Sequence, residues 1–115
     1  LNIQLDQEST KKLSTMDVIL EIRQCAQERD WNQFHTPRNL TLAIMGEVGE
    51  LADLFQFKGD HSQQQHDGFD DHTGLRCEGW SVEKIDKVHQ EIADVTIYCL
   101  RLVDVLGMQE KVSCV

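Results

Sequence analysis

Residues 36–58 read TPRNLTLAIMGEVGELADLFQFK, and their pattern predicts a single helix. Thr36 offers a side-chain oxygen to the free N–H groups of a first turn. Pro37 suits the first helical position, where a missing N–H costs nothing. Leu40, Ala43, Ile44, Val48, Leu51, Leu54 and Phe55 recur at three- and four-residue steps, the spacing of a core-facing stripe. On the helical wheel Glu47 falls inside that stripe and Glu50 on its edge. A carboxylate among core positions is costly unless something compensates it.

Working outward, a second long helix is expected after Ser81, ending near Leu106 with Gly107 as its stop. Val82, Ile85, Val88, Ile92, Val95, Cys99, Leu102, Val103 and Leu106 form its main apolar stripe, with Glu91, Asp94, Tyr98 and Arg101 on a neighbouring flank. From 92 to 105 it is apolar on nearly every side, which predicts burial on two faces, as in a bundle that also packs on another subunit. An earlier helix is expected from about Thr15 to Arg29, opened by a capping box of Ser14 and Asp17 and faced by Leu13, Met16, Ile19, Leu20 and Ala26. Residues 1–12 read as a loose arm. Residues 59–80, GDHSQQQHDGFDDHTGLRCEGW, read as a long polar loop. The histidines and aspartates of that loop match no zinc spacing. Gly59 is a plausible cap for the helix before it, and MQEKVSCV after Gly107 could begin a further helix. The fold class is therefore all-α, one domain over residues 1–115.

Composition narrows the function. The chain has 115 residues, 40% apolar and 27% charged, with a formal net charge of −9. No basic stripe runs along it, which argues against a nucleic acid polymer or an anionic membrane as partner. No apolar run approaches the roughly 18–20 residues that span a bilayer, and no signal-peptide pattern opens it. Cys25, Cys77, Cys99 and Cys114 contain no C-x-x-C pair and read as reduced thiols. A cytoplasmic location is the expectation; the sequence starts at Leu1 rather than Met, so it holds for these residues alone.

The chemistry lies in two carboxylate pairs. Glu47 with Glu50, and Glu91 with Asp94, stand three residues apart, so each pair faces one way. Set antiparallel, the two helices would bring all four together, and their mutual repulsion would raise their pKa values unless a cation intervened. Hard oxygen ligands suit Mg²⁺, with Mn²⁺ as a substitute, and the lack of nearby Cys or His ligands argues against zinc. E-x-x-E and E-x-x-D are also common on solvated helix faces. Against that reading, Glu47 lies within an apolar stripe and Asp94 within IADVTIY. A di-iron bundle would use Glu-x-x-His, and no His follows Glu47 or Glu91 at that step. Trp31, between the first two helices, reads either as a packing anchor or as a stacking surface for a flat ligand.

ERDWNQFHTPRNLTLAIMGEVGELADLFQFK followed by EIADVTIYCLRL resembles the all-α nucleoside triphosphate pyrophosphatases, the MazG-like superfamily, and within it the eukaryotic-type dCTP pyrophosphatases. The resemblance covers about residues 13–58 and 81–107. It implies a four-helix-bundle-like fold assembling as a homo-oligomer, dimer or tetramer. It also implies cleavage of the α–β phosphoanhydride of a nucleoside triphosphate, with dCTP or a modified dCTP as substrate. On that footing Glu47, Glu50, Glu91 and Asp94 are the catalytic and metal residues holding Mg²⁺, and Glu50 is one candidate general base. Trp31, His35, Phe57 and Tyr98 match positions around the base or sugar, and Arg38 and Lys58 are candidate phosphate partners. Three departures stand out. Ile22 occupies a position where vertebrate relatives carry a substrate-contacting His. The loop at 59–80 is expanded. The late C-terminal helix is not recognisable. The alternatives are the same chemistry on another nucleotide, such as dUTP or a damaged one, and a non-enzymatic helical interaction module.

Overall fold

A computed structural model describes residues 12–56 and 80–112. They form four helices and, among the described residues, no strand: α1 (Thr15–Glu28), α2 (Pro37–Phe55), α3 (Val82–Val105) and the single turn α4 (Gln109–Val112). Each long helix starts on a hydroxyl cap. Ser14 accepts from the Asp17 N–H while Asp17 accepts from the Ser14 N–H; Thr36 accepts from the Asn39 N–H; Ser81 accepts from the Lys84 N–H.

The ends of α1 and α3 share one device. After α1 the Asp30 N–H donates to Gln27 O and the Trp31 N–H to Ala26 O, with Asp30 at φ 57°. After α3 the Gly107 N–H donates to Asp104 O and the Met108 N–H to Val103 O, with Gly107 at φ 66°. These paired bonds, with one left-handed residue, are the Schellman ending, which turns the chain sharply away. At the end of α1 the turn carries Trp31 and His35 toward α3.

Helix α3 packs mainly along α2 and to a lesser extent on α1. The two partners run antiparallel: His35 meets Arg101 at one end and Phe55 stacks on Trp80 at the other, ring centroids 4.9 Å apart. Apolar burial is modest: Ile19, Ile22, Ala26, Leu40 and Val88 are the buried hydrophobic side chains among the described residues.

The buried row of α3 differs from the expected one. Val82, Ile92, Cys99 and Leu106 are exposed, whereas Glu91, Arg101 and Asp104 are buried alongside Val88. Hydropathy assigns the inside to the apolar stripe; here Glu91, Arg101 and Asp104 go inside because each finds a charged partner. Arg23 grips Asp104 with two bonds, Nη2 to Oδ1 at 2.6 Å and Nε to Oδ2 at 2.9 Å. Arg101 Nη1 donates to Asp104 Oδ2 and Gln109 Nε2 to Asp104 Oδ1. Asp104 therefore ties α1, α3 and the start of α4 together. The Arg23 fork, the Gln109 amide and the nearby guanidinium charges hold its carboxyl below the ordinary aspartate range, against the opposing effect of burial.

A carboxyl with a depressed folded-state pKa contributes stability that is complete above its unfolded pKa and is lost as pH falls through the folded value. Asp104→Ala removes that contribution and leaves Arg101 buried without a counter-charge. The variant is expected to lose about 3 kcal/mol, lowering the melting temperature by roughly 10 °C or more, and to melt with a weaker acid dependence than the parent. An unchanged melting curve would show that Asp104 does not join α1 to α3.

Candidate active site

The antiparallel register brings three of the four expected carboxylates together. Glu47 and Glu50 from α2 and Glu91 from α3 each present an oxygen, all within 4.8 Å of one another. Glu91 is 2% exposed. Its Oε1 lies 3.0 Å from Lys87 Nζ, one turn back on α3, and this bond holds the Glu91 carboxyl below its ordinary range. Glu47 is half-buried. Burial first, then the adjacent Glu91 carboxyl, then the charges of Glu50 and Asp94 push its carboxyl up. The two groups are driven in opposite directions because the only cation among these contacts reaches Glu91 and not Glu47.

Among the described residues two buried side-chain acceptor atoms stay unsatisfied: Glu47 Oε2 and Glu91 Oε2 have no donor. A carboxylate oxygen can only accept, so another carboxylate cannot satisfy it. Three carboxylate oxygens this close together are near enough to be ligands of one divalent cation. The donor set, all hard oxygen and partly buried, fits a divalent cation of the Mg²⁺ or Mn²⁺ type.

Asp94 departs from the expected foursome. It is exposed and does not belong to the converging oxygens. Its helix turns it one step past Glu91, toward the aromatic side of the site. There it lines a cavity of about 260 Å³ with Glu47, Ile22, Trp31, His35 and Tyr98. A second, shallower cavity of about 360 Å³ also takes in Trp31, His35 and Tyr98, with Phe34, Asn39, Leu40 and Ala43. Trp31, His35 and Tyr98 thus sit together beside Glu47 and Asp94. The rings of Trp31 and His35 lie 5.8 Å apart at 47°.

Arg38 is not brought into this arrangement. It is exposed in the first turn of α2 and lines neither cavity. Nine residues of helix separate it from Glu47, about 13 Å along the axis, so its guanidinium stays away from the carboxylates. Phe57 and Lys58 lie outside the described residues, as do most of the 59–80 loop and residues 1–11. Two residues missing from the expected list line or support the site. Arg101 lines the 260 Å³ cavity and is 6% exposed. Lys87 neutralises Glu91. Lys87 was readable as an i,i+4 partner of Glu91. Arg101 was visible only as the next member of the Glu91–Asp94–Tyr98 flank.

A glutamate with a raised folded-state pKa weakens the fold as pH rises above its ordinary value of 4.5. Metal-free protein is therefore expected to lose stability on going from pH 5 to 8. A divalent cation at about one hundred times its Kd should return about 2.7 kcal/mol. Glu47→Gln should raise the metal-free melting temperature at neutral pH and abolish most of the Mg²⁺ response. Equal responses to Mg²⁺ in variant and parent would exclude Glu47 as a ligand.

No protein-family model matches the chain. The curated human protein named dCTP pyrophosphatase 1 is 46% identical over 77 residues, which are 67% of this chain and 38% of the relative. The proteins of the same name from Mus musculus and Bos taurus are 44% and 43% identical over 77 residues. The chain thus spans well under half the length of the curated relatives it matches. Across that shared stretch the chain belongs with the eukaryotic dCTP pyrophosphatases, in the all-α nucleoside triphosphate pyrophosphatase (MazG-like) superfamily.

Proposed function

We propose that this chain is a Mg²⁺-dependent nucleoside triphosphate pyrophosphatase. It hydrolyses dCTP or a modified dCTP to the monophosphate and pyrophosphate, and clears such nucleotides from the cytoplasmic pool. The observation that carries the reading is the pair of donorless buried oxygens on Glu47 and Glu91, next to a cavity lined by Trp31, His35 and Tyr98. A solvated acidic face of an interaction module would leave neither oxygen buried.

Glu47, Glu50 and Glu91 are the residues that would hold the cation, with Asp94 beside them. A divalent ion bound there would offset the charge of the triphosphate and make an attacking water more acidic. The chain's own contribution is orientation. Trp31 and Tyr98 present flat faces to a nucleobase, and Ile22 closes that side of the cavity with an apolar surface. Asp94, exposed and lining the cavity with Glu47, would act as the acceptor of a proton from water. Expected with Mg²⁺ is pyrophosphate release that is strongest for dCTP within a panel of dNTPs and NTPs, and none with EDTA. Glu47→Gln should lose at least a hundredfold in kcat, on the scale of general acid–base and electrostatic contributions, while keeping its helical spectrum. Release strongest from dUTP or a damaged nucleotide would move the substrate and keep the chemistry. No release from any nucleotide would sink the enzymatic reading.

The same reading includes a homo-oligomer, a dimer or a tetramer of the bundle. Leu42, Met45 and Val48 stand at three-residue steps on α2 and are exposed, Met45 by 67%. Gly46 and Gly49 share that region, and a Cβ at either would meet nothing within 4 Å. Each glycine costs a helix about 1 kcal/mol relative to alanine, and no contact among the described residues requires it. A second copy approaching this face would use both the apolar side chains and the bare backbone. Met45→Asp is expected to shift sedimentation toward the monomer at micromolar concentration; a parent that sediments as a monomer would remove the oligomer from the proposal.

A further inference from the structure

Arg101 is buried near the C-terminal end of α3 and engages a different partner with each guanidinium nitrogen. Nε donates to His35 Nδ1 at 3.0 Å, Nη2 to Asn32 Oδ1 at 2.7 Å and Nη1 to Asp104 Oδ2 at 3.2 Å. Asp104 is itself clamped by Arg23 and Gln109. The guanidinium plane is therefore fixed from three directions and cannot turn without breaking bonds to Asp104 on α3 and to Asn32 and His35 in the α1–α2 turn.

That fixed plane decides the state of His35. Arginine has donors only, so the Nδ1 atom facing it must be the unprotonated acceptor. A neutral imidazole with a bare Nδ1 carries its proton on Nε2, because the bond made by one ring nitrogen selects the tautomer of the other. Burial, and then the Arg101 charge, lower the His35 pKa, which keeps the ring neutral. With Nδ1 taken, Nε2–H is the group His35 can offer to a molecule in the cavities it lines with Trp31 and Tyr98.

We propose that Arg101 is a positioning residue for substrate selection: it locks His35 as the Nε2–H tautomer, so that His35 presents one hydrogen-bond donor and no acceptor to the nucleotide. This rests on the reading of the cavity as a nucleotide site. The ligand chemistry it selects is an acceptor atom, a ring carbonyl or hydroxyl oxygen, at the position His35 reaches. A nucleotide with an amino or imino N–H there would set donor against donor, and leaving polar groups unpaired in this way is a strong means of rejection.

Two measurements on the full chain test it. The first needs no nucleotide: long-range ¹H–¹⁵N spectra of the histidine rings at pH 7, with the His35 signals assigned by their loss in His35→Gln. Expected is a single neutral tautomer protonated on Nε2; protonation on Nδ1, or a cationic ring, overturns the proposal. The second compares Arg101→Met and Arg101→Lys with the parent. Arg101→Met should give a mixture of His35 tautomers and raise KM for dCTP about tenfold, the scale of one net hydrogen bond, with a much smaller change in kcat. Arg101→Lys should restore part of both. A merely structural role predicts an unchanged tautomer, or a fall in melting temperature with KM unaltered, and either result overturns the proposal. Should Arg101→Met fail to fold, Asn32→Ala, which frees one guanidinium arm, takes its place with the same readouts. A parent chain inactive on every nucleotide would overturn the selection step through the functional reading, while the ring spectrum would still decide the tautomer lock by itself.

Discussion

The antiparallel register of α2 and α3 is the constraint from which the other features follow. With Phe55 on Trp80 at one end and His35 on Arg101 at the other, Glu47 and Glu50 have no choice but to meet Glu91. Like charges held against each other in a partly buried seam repel, and the seam resolves only part of that conflict. Lys87 covers one oxygen of Glu91. The raised Glu47 carboxyl and the two donorless oxygens are what remains. Sequences under no functional demand would replace such a cluster by apolar side chains at little cost or with a gain in stability. Keeping it makes sense where a cation is meant to complete it.

The elements themselves were legible because their signals are local. Ser14, Thr36 with Pro37, and Ser81 mark the starts, and Gly107 marks a stop; each acts within a few residues of itself. Asp30 was less legible because it does at φ 57° what glycine usually does. The inward face of α3 was misjudged because hydropathy cannot see partners. No local pattern marks Arg101 and Asp104 for burial; that follows only once Arg23, some eighty positions away in sequence, is placed beside Asp104. The same limit applies at the site. The Glu47–Glu50–Glu91 group follows from two i,i+3 pairs and one register. Asp94 and Arg38 depend on the exact rotation of each helix, which periodicity fixes only to within a residue.

The balance of buried groups also bears on assembly. The described helices bury a small apolar set, Ile19, Ile22, Ala26, Leu40 and Val88, while larger side chains such as Leu42, Met45, Phe55 and Ile92 stay in solvent. Burying a Leu- or Met-sized side chain contributes roughly 1.5–3 kcal/mol, so a chain that leaves this many outside forgoes much of its available stabilisation. The charged network around Asp104 does not replace it, because desolvation offsets much of the attraction between buried ions. On the proposed reading the missing burial is supplied between copies.

Along α3 the residues Glu91, Asp94, Tyr98, Arg101 and Asp104 follow one another at steps of three and four, a single row about 20 Å long. The row is acidic at one end, aromatic in the middle and closed at the other by the Arg101–Asp104 ion pair. On the proposed reading that order follows a nucleoside triphosphate, with cation and phosphates first and base last. The Arg101 guanidinium is taken up by Asp104, Asn32 and His35. On the proposed reading the same helix offers oxygen ligands to a cation and, at its far end, uses arginine to hold a neutral histidine still. One element carries both tasks because Glu91, Arg101 and Asp104 are buried on it, and Arg101 and Asp104 can be buried because α1 and the Trp31 turn supply their partners.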